Sequence, residues 1–78
     1  DYGMFIQSIM LSAVEKGLAT CPQAALGEYP DIVRQEFPEY KDKMVLCGLA
    51  LGYEDKGQIV NSYRTPREDL SRFVRYYN

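Results

Sequence analysis

Few residues in this chain could do chemistry by themselves. It contains no histidine, so the commonest general base is missing, as is any Ser–His or Cys–His nucleophile pair. Its two cysteines, Cys21 and Cys47, form no CxxC pair, which argues against a metal site and against a disulfide framework. Cys21 precedes Pro22 and has no base or resolving thiol beside it. Cys47 lies in an uncharged run and reads as inert core. Asp31, Glu36, Glu39 and Asp42 are close in sequence, but their spacing matches no EF-hand loop, and a solvated face is the better reading. That leaves arginine. Residues 62–78 carry Arg64, Arg67, Arg72 and Arg75 against Glu68 and Asp69, a basic arm on a chain whose net charge is −2. Such an arm can serve an anionic ligand or a partner surface, or form a solvated helix face. The overall charge offers no general nucleic-acid surface. If the chain belongs to an enzyme, the hard chemistry belongs to a cofactor.

A second candidate place has almost no side chain at all. Leu18 to Gly27 has no helical or alternating period, and Pro22 forces Cys21 to be extended. Small residues at Ala19, Ala24, Ala25 and Gly27 let the backbone lie close to another helix or to a flat ligand. Composition alone favours packing.

The elements that must position these residues follow from periodicity. Residues 3–16 predict a helix, with Ile6, Ile9, Met10, Ala13 and Val14 at spacings of three and four, and with Phe5 and Leu11 widening the apolar arc beyond one face. Gly17 is a left-handed stop. Pro30 opens a short helix over 30–37 with Ile32, Val33 and Phe37 inward, and a polar connection follows. Met44 to Leu51 is eight residues without a charge and predicts a strand buried on both faces. No second strand of that quality is present, so the chain is part of a larger α/β fold or completes its sheet with another chain. Asp55-Lys56-Gly57 is a turn, and 58–63 is extended or irregular. Thr65 as N-cap, Pro66 at N1 and Glu68 at N3 form a capping box for a helix over 66–77, with Leu70, Phe73, Val74 and Tyr77 as its apolar stripe.

The composition is that of an ordinary globular protein, 46% hydrophobic and 26% charged, and 78 residues hold at most one domain. A compact chain of this mass exposes about 4,900 Å². No apolar run reaches the ~18 residues of a membrane span. The opening Asp-Tyr-Gly has no basic n-region and no cleavage site, so the expectation is no secretory signal and a cytoplasmic protein.

Four segments in order carry a resemblance: Gly-Met-Phe-Ile-Gln-Ser-Ile-Met-Leu-Ser-Ala from Gly3, Gly-Leu-Ala-Thr-Cys-Pro-Gln-Ala-Ala from Gly17, Leu-Cys-Gly-Leu-Ala-Leu-Gly-Tyr from Leu46, and Asn-Ser-Tyr-Arg-Thr-Pro-Arg from Asn61. Together they resemble the C-terminal part of the nitroreductase family, the FMN-dependent NAD(P)H oxidoreductases, over essentially the whole chain. The resemblance implies an α+β fold, a mixed sheet flanked by helices. This chain would supply one central strand, about 44–51, and three helices, and residues 1–78 would be the C-terminal portion of a single domain. It implies a homodimer with FMN at its interface and C-terminal arms exchanged between subunits.

The resemblance also assigns site residues. Pro22, Gln23, Ala24 and Ala25 match a loop along the edge of the isoalloxazine ring, where a backbone N–H reaches flavin N5. Many relatives have an acidic residue and then glycine where Ala24 and Ala25 stand. The backbone contact survives that change, and a carboxylate role does not. Arg64 and Arg67 match basic residues that bind the FMN phosphate, for which the planar guanidinium fork is suited. Arg67, three residues before Leu70, aligns best, although relatives often have proline where Asp69 stands. No catalytic side chain is implied. The implied reaction carries a hydride from NAD(P)H through flavin N5 to a small electron-poor acceptor of nitroaromatic or quinone type, with neither nucleic acid nor membrane as partner. The family's Arg-Ser-x-Arg segment and ring-side asparagine lie outside these residues. The 78 residues alone are therefore expected to bind flavin weakly or not at all and to be inactive. The alternative is a truncated, catalytically inactive fragment acting only as a self-associating structural module.

Overall fold

A computed structural model describes residues 1–78. The order is α1 (Tyr2–Glu15), β1 (Ala19–Gln23), a 3-10 helix (Ala24–Glu28), α2 (Pro30–Glu36), a 3-10 turn (Pro38–Tyr40), β2 (Gly48–Gly52), and two more 3-10 turns at Ile59–Asn61 and Leu70–Arg72.

Helix α1 forms where the three-and-four spacing places it. It packs its half-buried Ile6, Ile9 and Met10 inward and leaves Phe5 and Leu11 exposed, which is the wide apolar arc the sequence predicts. It ends in a Schellman motif. Gly17 takes φ 74, its N–H donates to Val14 O at 3.0 Å, and the Leu18 N–H donates to Ala13 O at 2.8 Å. These bonds satisfy carbonyls that the helix end would otherwise orphan.

That stop turns the chain into β1, which runs antiparallel to β2 with Ala19 opposite Gly52 and Gln23 opposite Gly48. Here the sequence reading is corrected twice. A second strand exists, and the strand expected over 44–51 covers only 48–52. The ladder is as long as its shorter partner. Past Gln23 the chain coils into the 3-10 helix, so nothing pairs with 44–47. Nor is β2 buried on both faces within this chain, since Leu51 is exposed. Pro22 sits in β1 at no cost to the ladder, because an edge strand tolerates a residue without an N–H.

Helix α2 forms where expected, with Pro30 at N1, Asp31 in the first turn and Arg34 in the last. Of the three residues expected inward, only Val33 is half-buried, while Ile32 and Phe37 stay exposed because no other element of the chain covers that face. Arg34 ties the next segment down, its Nη2 donating to Lys43 O at 3.1 Å.

The helix expected over 66–77 is the third correction, for only Leu70–Arg72 coils. The capping box does not form. Thr65 Oγ1 accepts from Arg67 Nη1 at 2.7 Å, and Glu68 pairs with Arg72 at 2.7 Å. Asp69 caps instead, Oδ1 accepting from the Ser71 N–H at 2.8 Å. The stripe of Leu70, Phe73 and Tyr77 has nothing to dock on and stays exposed. A short helix without packing is marginal in water. The chain therefore has two α-helices, not three.

Ala13 is the only buried residue. The chain exposes 7572 Å², far above the ~4,900 Å² of a compact chain of its mass. Its radius of gyration is 17.3 Å, against about 11.5 Å for a compact domain of 78 residues. The apolar faces of α1 and β2 thus need cover that these residues do not supply to one another. No helix is long and apolar enough to cross a membrane.

Candidate functional site

Pro22 and Gln23 end β1, opposite Leu49 and Gly48, while Ala24 and Ala25 open the 3-10 helix. All four are exposed. The N–H groups of a first helical turn have no partner further back in the helix, and two alanines put no bulk in front of them. The next two residues fix this corner. A Cβ on Gly27 would stand 2.6 Å from the Leu46 carbonyl oxygen, and the Leu26 side chain fills the space a Cβ on Gly48 would need. Of the small residues in 18–27, Gly27 therefore serves backbone packing, whereas Ala24 and Ala25 keep an open face.

Arg64 lies on the far side of the ladder. It lines a cleft of about 770 Å³ with Gln7 and Val14 of α1, Ala19 and Thr20 of β1, and Asn61. Its Nη1 donates to Asn61 O and Tyr63 O, both at 3.3 Å. Its Nη2 stands 3.9 Å from Glu54, and the side chain is 79% exposed, so that pair contributes little. Arg67 bonds only through Nη1, to Thr65 Oγ1, Thr65 O at 3.3 Å and Pro66 O at 3.2 Å. Its Nε and Nη2 keep their donors free, the edge a phosphate would take in a two-bond grip. Two residues on, the Ser71 hydroxyl and then the Ser71 N–H hold the Asp69 carboxyl below its usual range. The ionised Asp69 thus caps the turn that follows the arginines.

The two halves do not meet in one pocket. None of Pro22 to Ala25 lines the cleft at Arg64. The Ala19 end of β1, which does, lies about 13 Å from the Gln23 end at ~3.3 Å per residue. In chemical type, small exposed residues suit a flat ring and free guanidinium donors suit a phosphate, the two ends of a flavin mononucleotide. The other candidates stay apart. Cys21 and Cys47 are free thiols, the first exposed and the second half-buried. The structure gathers no three His, Cys, Asp or Glu side chains that could hold a metal ion. Sequence reasoning passed over Gly48 and did not see what Gly27 meets. The available signal was glycine inside a strand, which marks close approach of another group.

No protein-family model matches the chain. Individual proteins do. It is 37% identical over 76 residues to a 4-nitrobenzoate reductase of Pseudomonas putida, covering 97% of this chain and 34% of that protein. It is 40% identical over 76 residues to the nitroreductase NfnB of Mycolicibacterium smegmatis, covering 97% of this chain and 32% of that one. The crystal structure of the FMN-dependent nitroreductase NfnB from Mycobacterium smegmatis in complex with NADPH superposes with a TM-score of 0.88 at 38% identity, over 97% of this chain and 34% of that one. An FMN- and NADPH-dependent NfnB from a Sphigopyxis strain gives 0.85 at 38% identity, over 99% and 34%. In sequence and in backbone, over nearly every residue, the chain is thus similar to proteins named as nitroreductases. It spans about a third of the length of the relatives it matches.

Proposed function

We propose that these residues are the C-terminal portion of an FMN-dependent oxidoreductase that passes a hydride from NAD(P)H to a small electron-poor acceptor, nitroaromatic or quinone in type. The observation that carries the reading is the match to FMN-dependent nitroreductases over 97% of the chain, at 38% identity and a TM-score of 0.88. FMN, when bound, supplies the atom N5 that takes and gives the hydride. The residues of this chain bind and orient. The backbone at Ala24 and Ala25, bare of bulk, would hold the ring edge, with an N–H to donate toward N5. Arg67, with its Nε and Nη2 donors free, and Arg64 would take the phosphate. No side chain here acts as acid or base. The chain works as a homodimer, whose second copy covers the exposed apolar face of α1, and the protein is cytoplasmic.

The test is flavin content and turnover in the full-length protein that carries these residues. A bound flavin band, with NAD(P)H oxidation that depends on a nitroaromatic or quinone, is the expected result. Flavin-free protein that acquires no band from added FMN contradicts it.

A second reading has one observation in its favour, the large uncovered apolar surface with Ala13 alone buried. On that reading the chain is an inactive fragment that self-associates as a structural module. It predicts no flavin and no turnover from residues 1–78, together with a defined oligomer.

A further inference from the structure

The corner that carries Ala24 and Ala25 is held by a contact with no side chain on one side of it. A Cβ on Gly27 would stand 2.6 Å from the Leu46 carbonyl oxygen and 3.3 Å from that of Val45. Both are backbone atoms, so no rotamer change relieves the overlap. The helix and the approach to β2 would have to part by roughly 0.8 Å to reach ordinary contact, more than the ~0.5 Å within which a preorganised contact is held. One step along, the Leu26 side chain occupies the place of a Gly48 Cβ, and Gly48 is the ladder partner of Gln23. This second overlap involves the end of a flexible, partly exposed side chain and is easier to relieve. At the other end of β2, a Cβ on Gly52 would meet nothing within 4 Å. Along β2, close approach is therefore confined to the end next to Ala24 and Ala25. Those two alanines belong to the same five-residue 3-10 helix as Gly27, so a displacement of Gly27 is passed to them.

We propose that Gly27, seated on the Leu46 carbonyl, is a positioning residue that sets where the Ala24–Ala25 backbone stands toward the bound flavin, with Leu26 over Gly48 as the supporting contact. This rests on the functional reading above. Gly27 touches no flavin; it acts through the turn it belongs to.

The experiment uses the full-length protein with Gly27→Ala, Gly48→Ala, Leu26→Ala/Gly48→Ala and, as control, Gly52→Ala. Each is titrated with oxidised and with reduced FMN, and thermal unfolding is recorded without flavin. Gly27→Ala is expected to weaken oxidised FMN about tenfold, in keeping with a displacement of this size. It is also expected to change the ratio of oxidised to reduced affinity about threefold or more, because the donor toward N5 has moved. Gly52→Ala stays within about twofold of the parent. Gly48→Ala weakens FMN about threefold, and removal of the Leu26 side chain in the double variant restores the affinity. A Gly27→Ala protein that folds and binds both flavin forms like the parent overturns the proposal, as does one that only melts earlier. Should Gly27→Ala fail to fold, the Gly48 pair decides, and a double variant that does not recover overturns it. A parent protein that takes up no FMN overturns the functional reading, and the proposal with it. A parent that binds FMN beside an unaffected Gly27→Ala overturns the positioning role alone.

Discussion

Arg67 and Arg64 differ in what each has left to give. Arg67 spends one nitrogen on its own loop and keeps Nε and Nη2, whereas Arg64 has Glu54 at 3.9 Å competing for it. A charge-assisted hydrogen bond contributes about 1.5–3 kcal/mol. Arg67→Ala in the full-length protein should therefore weaken FMN by roughly ten- to a hundredfold, and Arg64→Ala by less. Arg67→Lys should recover only part, since an ammonium keeps the charge and loses the planar fork. Fluorescence titration of FMN measures all three. The segment around these arginines was legible in the sequence because the resemblance there is carried by a contiguous stretch, Asn61 to Arg67. The interlock at Gly27 and Gly48 was not, since what a glycine lets in depends on a segment about twenty residues away. Asp69 makes a separate prediction. Its carboxyl is held low by the Ser71 hydroxyl and N–H, and a lowered folded value stabilises the folded turn above the unfolded pKa. The benefit is lost as pH falls through the folded value. An NMR titration should place the Asp69 midpoint below 3.8, with the Ser71 amide shift following it. Asp69→Asn should abolish that coupled titration.

Elements whose signal is local came through. Helix α1 lies within a residue of its expected bounds, because its apolar spacing and its glycine stop lie in one stretch of chain. Gly17 at φ 74 needs the left-handed region, which costs other residues about 1–2 kcal/mol. Gly17→Ala should thus lower the stability of the full-length protein by about 1 kcal/mol in chemical denaturation. The misread elements depend on contacts distant in sequence. Strand β1 has no alternation and holds Pro22, so only its pairing with β2 defines it. The uncharged run at 44–51 announces burial, but its strand character stops where β1 stops. The capping box at Thr65 and the stripe from Leu70 to Tyr77 make a helix worth forming only if something receives the stripe. Nothing within the chain does, and the caps went to other partners.

For the molecule as a whole, one quantity dominates: 7572 Å² exposed on 9.0 kDa of chain. Phe5, Leu11 and Val14 of α1 lie bare, and at ~25 cal/mol per Å² covering them is a large part of what the complete protein has to gain. Residues 1–78 expressed alone should self-associate or lose fixed tertiary packing, seen as a concentration-dependent sedimentation coefficient with weak near-UV circular dichroism. A stable, compact monomer would count against the fold assignment. The likeness to nitroreductases was legible from four short segments in order. The separation of the Ala24–Ala25 corner from the cleft at Arg64 was not, since it depends on how β1 pairs with β2. Whether these residues hold FMN in the full-length protein is read directly from the visible absorbance of that protein, purified at its full mass and titrated with FMN. The expected result is a flavin band at one FMN per subunit, weakened by Arg67→Ala. Full-length, folded protein with no band after titration would contradict it.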